Sequence, residues 1–161
     1  RTRCFARCLS FDLLRPSGTP HPVDAIAATI ATRRWEGCEF NLTMEFSSDY
    51  PATAPVVKFV SRPGEVFWHL NVWSSGRICL NLLNEPDGTW HGQWSPSITI
   101  KQILCAIQEL LDNPFPAGAR PEAQSLYERN RPAYERRLRQ EADKYRKRPL
   151  PDDDDDVVVI E

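Results

Sequence analysis

The sequence predicts an α+β domain in which antiparallel strands come first and helices follow. Three observations carry that expectation. Residues 39–46 alternate apolar and polar side chains with period two, the pattern of a strand with one buried face. Residues 99–111 set apolar side chains at three–four spacing behind a capping box, the pattern of a core-facing helix. Helical patterns then follow one another to about residue 148, an order that excludes a parallel βαβ array. A chain of 161 residues with 41% hydrophobic side chains suffices for one packed core and reads as one domain.

Along the chain, Pro16, Pro20 and Pro22 break any helix in residues 1–34. Ala25 to Ala31 reads as a strand or a short helix. In the alternating segment Phe40, Leu42, Met44 and Phe46 face one way, and Asn41, Thr43 and Glu45 the other. The sequon-like Asn41-Leu42-Thr43 is therefore read as strand. Ser47-Ser48-Asp49-Tyr50-Pro51 is turn chemistry. Val56 to Val60 forms the next strand, started after Pro55 and ended by Pro63-Gly64. From there to Cys79 irregular backbone is expected, the kind of loop on a rigid sheet where chemistry sits. Thr99-x-x-Gln102 caps a helix bearing Ile103, Leu104, Ile107, Leu110 and Leu111. It stops before Asn113-Pro114, because the residue before a proline avoids helical angles. Pro121 starts another helix through Ala123 to Tyr127, and Pro132 occupies the first turn of a last one running to about Arg148.

Charge is unevenly spread. The net charge is −2, yet residues 149–161 carry six acids and no Lys or Arg, which leaves the body at +4. Residues 129–148 alone hold nine Lys and Arg. These cations alternate with acids and lack interleaved aromatics beyond Tyr134 and Tyr145, so nucleic acid is not the expected partner. No apolar run approaches the ~18 residues of a membrane helix. The opening Arg1-Thr2-Arg3-Cys4-Phe5 lacks a Met, as expected of a fragment, and no apolar core of a signal peptide follows it. Five irregularly spaced cysteines suit free thiols in a reducing compartment, nucleus and cytoplasm. Cys4-x₃-Cys8 has no second pair, and His21, His69 and His91 are scattered, so no metal is expected.

Cys79 is the chemically informative residue. It lies ten residues after His69 in the tripeptide His69-Leu70-Asn71, and the intervening Val72 to Ile78 offers Ser and Gly but no second His. A thiol nucleophile normally has a base beside it. Asn71 cannot take a proton, but its amide can donate to a developing oxyanion. That pairing suits acyl transfer through a thioester. A buried structural cysteine, and an Asn that caps its own loop, are the plain alternatives.

Three ordered motifs resemble the ubiquitin-like-protein conjugating enzymes. His69-Leu70-Asn71 before Cys79 is similar to that family's His-Pro-Asn, with Leu70 for Pro. Tyr50-Pro51-Ala52-Thr53-Ala54-Pro55-Val56-Val57-Lys58-Phe59 is similar to its Tyr-Pro-x-x-Pro-Pro-x-Val-x-Phe. Trp94-Ser95-Pro96 with Ile98 to Leu104 resembles its Trp-x-Pro motif and following helix. The likeness spans about Trp35 to Lys147. Trp35-Glu36-Gly37, Ile98 to Leu104, and Ile107 to Leu111 bring it nearest the SUMO-conjugating branch. The resemblance implies an antiparallel meander sheet packed against helices, with residues 35–148 as catalytic core and a divergent segment 1–34. It implies that Cys79 accepts SUMO or a related modifier from an activating enzyme. The modifier then passes to a lysine of a protein substrate, alone or with a ligase. No cofactor is held; ATP is used upstream. His69 is expected to support the loop. Trp73 and Ser75 are expected to touch the substrate, with Trp73 as an aromatic wall.

The chain departs from the family where a carboxylate normally orients the incoming lysine. Counting back from Tyr127, Arg120 stands in that place, and Glu122 is the nearest substitute. Arg77 also adds charge where a hydroxyl is expected. The loop Glu85 to Gln93 is longer than usual, a passive surface loop or a gate. Asp152 to Asp156 followed by Val157, Val158, Val159 and Ile160 resembles a SUMO-interacting motif. Its apolar residues would add a strand to a partner's sheet edge and its acids would meet a basic rim. A solvated acidic tail over 149–161 is the plain reading. Two rival functions remain open: ubiquitin as the cargo, or a catalytically weak variant serving as a SUMO-binding adaptor.

Overall fold

The computed structural model describes residues 13–14, 23–30, 34–61, 64–86, 92–116 and 119–146, the first two segments as backbone only. The expectations for Pro16, Pro20 and Pro22, for the middle of the 85–93 loop, and for the acidic tail lie outside these residues.

Among the described residues four antiparallel strands run in sequence order: β1 (Leu13–Leu14), β2 (Val23–Ile30), β3 (Cys38–Glu45) and β4 (Val56–Val60). The ambiguous stretch from Ala25 resolves as strand through Ile30, and Ala31 lies outside the described residues. Each residue from Val23 to Ile30 pairs with one from Glu45 back to Cys38, so a neighbouring strand supplies the ladder that an alanine-rich stretch cannot specify by itself. In β3 the alternation holds: Phe40, Leu42 and Met44 are buried, and Asn41 is exposed. Phe46 falls just beyond the strand and packs its ring on Tyr50, 4.7 Å between centroids. β4 pairs back onto β3 from Asn41–Val60 to Glu45–Val56.

Among the described residues three α-helices follow: α1 (Ile100–Asp112), α2 (Pro121–Arg129) and α3 (Arg131–Tyr145). The Thr99/Gln102 capping box forms, with the Thr99 Oγ1 accepting the Gln102 N–H and the Gln102 Oε1 accepting the Thr99 N–H at 2.8 Å. All five apolar residues expected to face inward from α1 are buried. Proline lies in the first turn of both later helices, Pro121 opening α2 and Pro132 second in α3, where its missing N–H is no loss. Asn130 ends α2 and caps α3, accepting the Ala133 N–H at 3.1 Å. α3 ends at Tyr145, three residues short of Arg148: Arg146 turns to extended backbone and bridges Cys38.

The core joins sheet and helices through aromatic rings. Phe59 stacks on Phe67 at 4.2 Å, and Phe40 meets Phe59, Phe67 and Trp35 edge-on. Trp35 is fully buried and donates its indole N–H to the Leu111 carbonyl, which fastens the turn before β3 to the end of α1. Cys38 Sγ reaches the Ala142 carbonyl at 3.2 Å and ties β3 to α3.

Two features then position the loop that follows β4. Glu141, 1% exposed, accepts the Trp68 N–H at 3.0 Å and the Lys144 ammonium at 3.1 Å. A buried carboxylate held by two donors is tolerable where an unpaired one is not. In addition, Trp94 Nε1 donates to the Pro51 carbonyl at 3.1 Å. The tyrosine–proline turn and the tryptophan–proline motif therefore meet in space.

Candidate functional site

The segment between β4 and α1 is irregular but tightly held. After Gly64 the chain runs through Phe67, Trp68, His69, Leu70, Asn71 and Val72, all buried. It then makes a small hairpin. Val72 and Ile78 pair across it, the Trp73 N–H donates to the Arg77 carbonyl at 2.9 Å, and the Gly76 N–H donates to the Trp73 carbonyl at 2.9 Å. The returning strand lies along β4, with Phe59 N–H to the Gly76 carbonyl and Ile78 N–H to the Val57 carbonyl, both 3.0 Å. Gly76 has φ +82°, and a Cβ there would sit 2.8 Å from the Phe59 carbonyl oxygen. Only glycine fits this close approach.

The hairpin brings Cys79 opposite Asn71, whose carbonyl accepts the Cys79 N–H at 2.8 Å. The thiol is half-buried. Burial pushes its pKa up, and the Arg77 guanidinium partly offsets that by favouring the thiolate. The 3₁₀ turn Asn81–Leu83 follows at once and anchors the loop beyond.

Asn71 is fully buried, and its amide is engaged. Nδ2 donates to the Phe115 carbonyl at 3.1 Å, and Oδ1 accepts the Phe115 N–H at 3.2 Å. The partner is therefore the chain that links α1 to α2, not the residue's own loop. The Nδ1 of His69 accepts the Asn71 N–H at 3.1 Å. That bond leaves the other nitrogen as the N–H. Nε2 is buried near the Leu111 carbonyl without a well-formed hydrogen bond. Complete burial drives the His69 pKa down to about 3, with the cations of Arg34 and Arg120 adding to the fall. A ring that is enclosed, held neutral by burial and already accepting a backbone N–H is poorly placed for proton transfer.

Leu70, where the resembled motif has proline, is fully buried and its carbonyl accepts the Ala119 N–H at 2.9 Å. The exposed hairpin tip carries Trp73, 47% exposed, and Ser75. Ser75 Oγ accepts the Arg77 N–H at 3.4 Å, so its hydroxyl braces the turn.

Arg120 is not a loose cation. It is the residue before α2, its side chain is only 10% exposed, and Nη2 donates to the Trp73 carbonyl at 3.5 Å. Glu122 lies in the first turn of α2, 3.9 Å from Arg120 Nη1, with its side chain 70% exposed. Together with Val66, Ser74, Ala119 and Pro121 these two residues line an open cavity of about 310 Å³. The structure thus places Glu122 beside Ser74 and Arg120, while the burial of Arg120 was not foreseeable from its charge. Among the described residues, no group of three His, Cys, Asp or Glu is arranged to hold a metal, and no helix is long and apolar enough to cross a membrane. Val157, Val158, Val159 and Ile160 lie outside the described residues.

Comparison with known proteins matches residues 21–142 to the family described as ubiquitin-conjugating enzyme. The match reaches upstream of Trp35, across β2. A SUMO-conjugating enzyme of Arabidopsis thaliana is 43% identical over 112 residues, which cover 69% of this chain and 64% of that protein. A SUMO-conjugating enzyme of Caenorhabditis elegans is 42% identical over 112 residues, 69% of this chain and 62% of that protein. The chain therefore spans a little under two thirds of the length of either relative.

Proposed function

Because the chain belongs to the ubiquitin-conjugating enzyme family, we propose that it is a conjugating enzyme whose cargo is SUMO. Cys79 takes the modifier's C-terminal acyl group from an activating enzyme as a thioester. A lysine amine of a protein substrate is the final acceptor, reached alone or through a ligase. One observation carries this reading: a half-buried thiol, held by backbone bonds opposite Asn71 and beside an arginine. The names of both relatives favour SUMO over ubiquitin. No cofactor enters the transfer itself.

The other side chains take supporting parts. Asn71 gives one amide N–H to Phe115. An amide nitrogen carries two, and the second is the donor available to an oxyanion. His69 holds the Asn71 backbone. Trp73, Ser75 and Glu122 offer the substrate an aromatic wall, a hydroxyl and a carboxylate. The acids Asp152 to Asp156 with Val157 to Ile160 bind SUMO by strand addition, a reading supported by their sequence pattern. Arg120 in the carboxylate's place favours one second reading, a catalytically weak adaptor.

The test is a loading assay. The chain is incubated with ATP, an activating enzyme and either SUMO or ubiquitin, then run on a non-reducing gel. A reducible SUMO adduct that disappears in Cys79→Ser is the expected result. An adduct with ubiquitin alone transfers the reading to the other cargo, and no adduct leaves the adaptor. Deleting residues 152–161 is expected to weaken SUMO binding; unchanged affinity removes the tail from the account.

A further inference from the structure

Helix α3 buries one side through Tyr134, Leu138, Glu141 and Ala142 and turns the other to solvent. Most of its cations are engaged. Arg131 pairs with Glu135, Lys144 with Glu141, and Arg137 lies over the Trp68 ring. Arg136 and Arg139 differ. Both are exposed, and among the described residues neither makes an ion pair. Three residues apart, they are neighbours on the helix surface, where like charges repel. The solvent face of α3 therefore favours an anion.

Acids that match it lie in the same chain. Past Tyr145 the backbone leaves the helix, with Arg146 extended and bridged to Cys38. Asp152 follows Arg146 by six residues, a span of up to about 20 Å. Arg139 and Arg136 lie seven and ten residues back from Arg146, about 10 and 15 Å along the helix axis. The run Asp152 to Asp156 can thus reach both. One exposed ion pair contributes little. A short tether, however, raises the local concentration of five carboxylates to about the millimolar range.

We propose that the Arg136–Arg139 face of α3 is a docking surface for this chain's own Asp152 to Asp156, a clasp that keeps these acids from other partners. The same aspartates would meet the basic rim of SUMO, so the two engagements exclude each other. That consequence rests on the SUMO reading of the tail. SUMO then competes with α3 for the acids, and the tail binds it more weakly than a freed tail would.

The experiment follows the α3 amides of the isotope-labelled chain by NMR at low salt. Replacing Asp152 to Asp156 by Asn is expected to shift the amides of Arg136, Arg139 and Gln140. Raising sodium chloride to about 0.5 M, which screens exposed charges, is expected to move the wild-type signals the same way. With Arg136→Gln and Arg139→Gln in place, the aspartate replacement is expected to leave Gln140 and Asp143 unmoved. Amides of α3 that ignore the aspartate replacement in the otherwise wild-type chain overturn the clasp. Shifts that depend on protein concentration place the acids on a second copy and overturn it as well. The second readout is SUMO affinity: the double arginine variant is expected to bind about threefold more tightly, as the free fraction of the tail rises. Equal affinity, where the tail does bind SUMO, overturns the competition. SUMO affinity that ignores the aspartate replacement removes the SUMO reading of the tail, while the α3 amides still decide the clasp.

Discussion

The carboxamide of Asn71 and the backbone of Phe115 close a two-bond pair across 44 residues of sequence, one bond in each direction. The pair locks the chain before Cys79 to the connection between α1 and α2. Asn71 is thus a structural joint as well as a candidate donor, and the two roles separate experimentally.

Asn71→Ala removes both bonds and leaves the Phe115 N–H and carbonyl without these partners. It is expected to lower stability by about 2 kcal/mol, read as a shift of the urea midpoint at unchanged slope. Transfer from the loaded thiol is expected to fall as well. An unchanged midpoint with lost transfer would assign the side chain to chemistry alone.

His69 makes the fold sensitive to acid. Its pKa is near 6.5 in an unfolded chain and about 3 in the folded one. The unfolded state therefore binds the extra proton between these values. Its contribution is complete above about pH 6.5 and declines as pH falls toward 3, by about 1.4 kcal/mol per pH unit. Unfolding free energy measured between pH 6 and pH 4 is expected to show this slope relative to His69→Gln. Parallel curves for the two proteins would show that the folded ring takes up protons freely.

Loading of Cys79 is expected to speed up as pH rises, because the thiolate attacks and burial holds the thiol above its usual pKa. Arg77 works against that rise. Arg77→Gln is therefore expected to move the inflection of the single-turnover loading rate to higher pH and to slow loading at neutrality. An inflection that stays in place would show that Arg77 does not reach the sulfur.

Gly76→Ala places a methyl 2.8 Å from the Phe59 carbonyl oxygen at a positive φ. Strain of this kind costs on the order of 1–3 kcal/mol. The expected outcome is a lower unfolding midpoint together with faster amide exchange at Phe59 and Ile78, whose N–H groups bond between β4 and the returning strand of the hairpin. Wild-type exchange at both amides would show that the turn accommodates a side chain.

What was legible in the sequence was periodic or local. β3 announces itself by alternation, and α1 by a cap and a three–four stripe, because each pattern is enforced by one buried face. The Cys79 neighbourhood was legible as a motif, and the hairpin explains the spacing: the turn from Trp73 to Arg77 returns the chain beside Asn71. The partners of the key side chains were not legible. Nothing near Asn71 points to Phe115, nothing near Trp68 points to Glu141, and nothing in an arginine predicts burial against Trp73. These are contacts made by the tertiary fold, and no local pattern encodes them. The end of α3 was overrun for a related reason: the helical residues continue to Arg148, but pairing of Arg146 with Cys38 competes with another turn of helix.

The bond from Arg120 to the Trp73 carbonyl has a bearing on how this chain can diverge. An acid placed at position 120 would remove this donor from the Trp73 carbonyl and loosen the hairpin tip. A carboxylate at this position is therefore expected to need a second change around Trp73 to hold the turn, whereas a neutral or cationic donor is expected to need none.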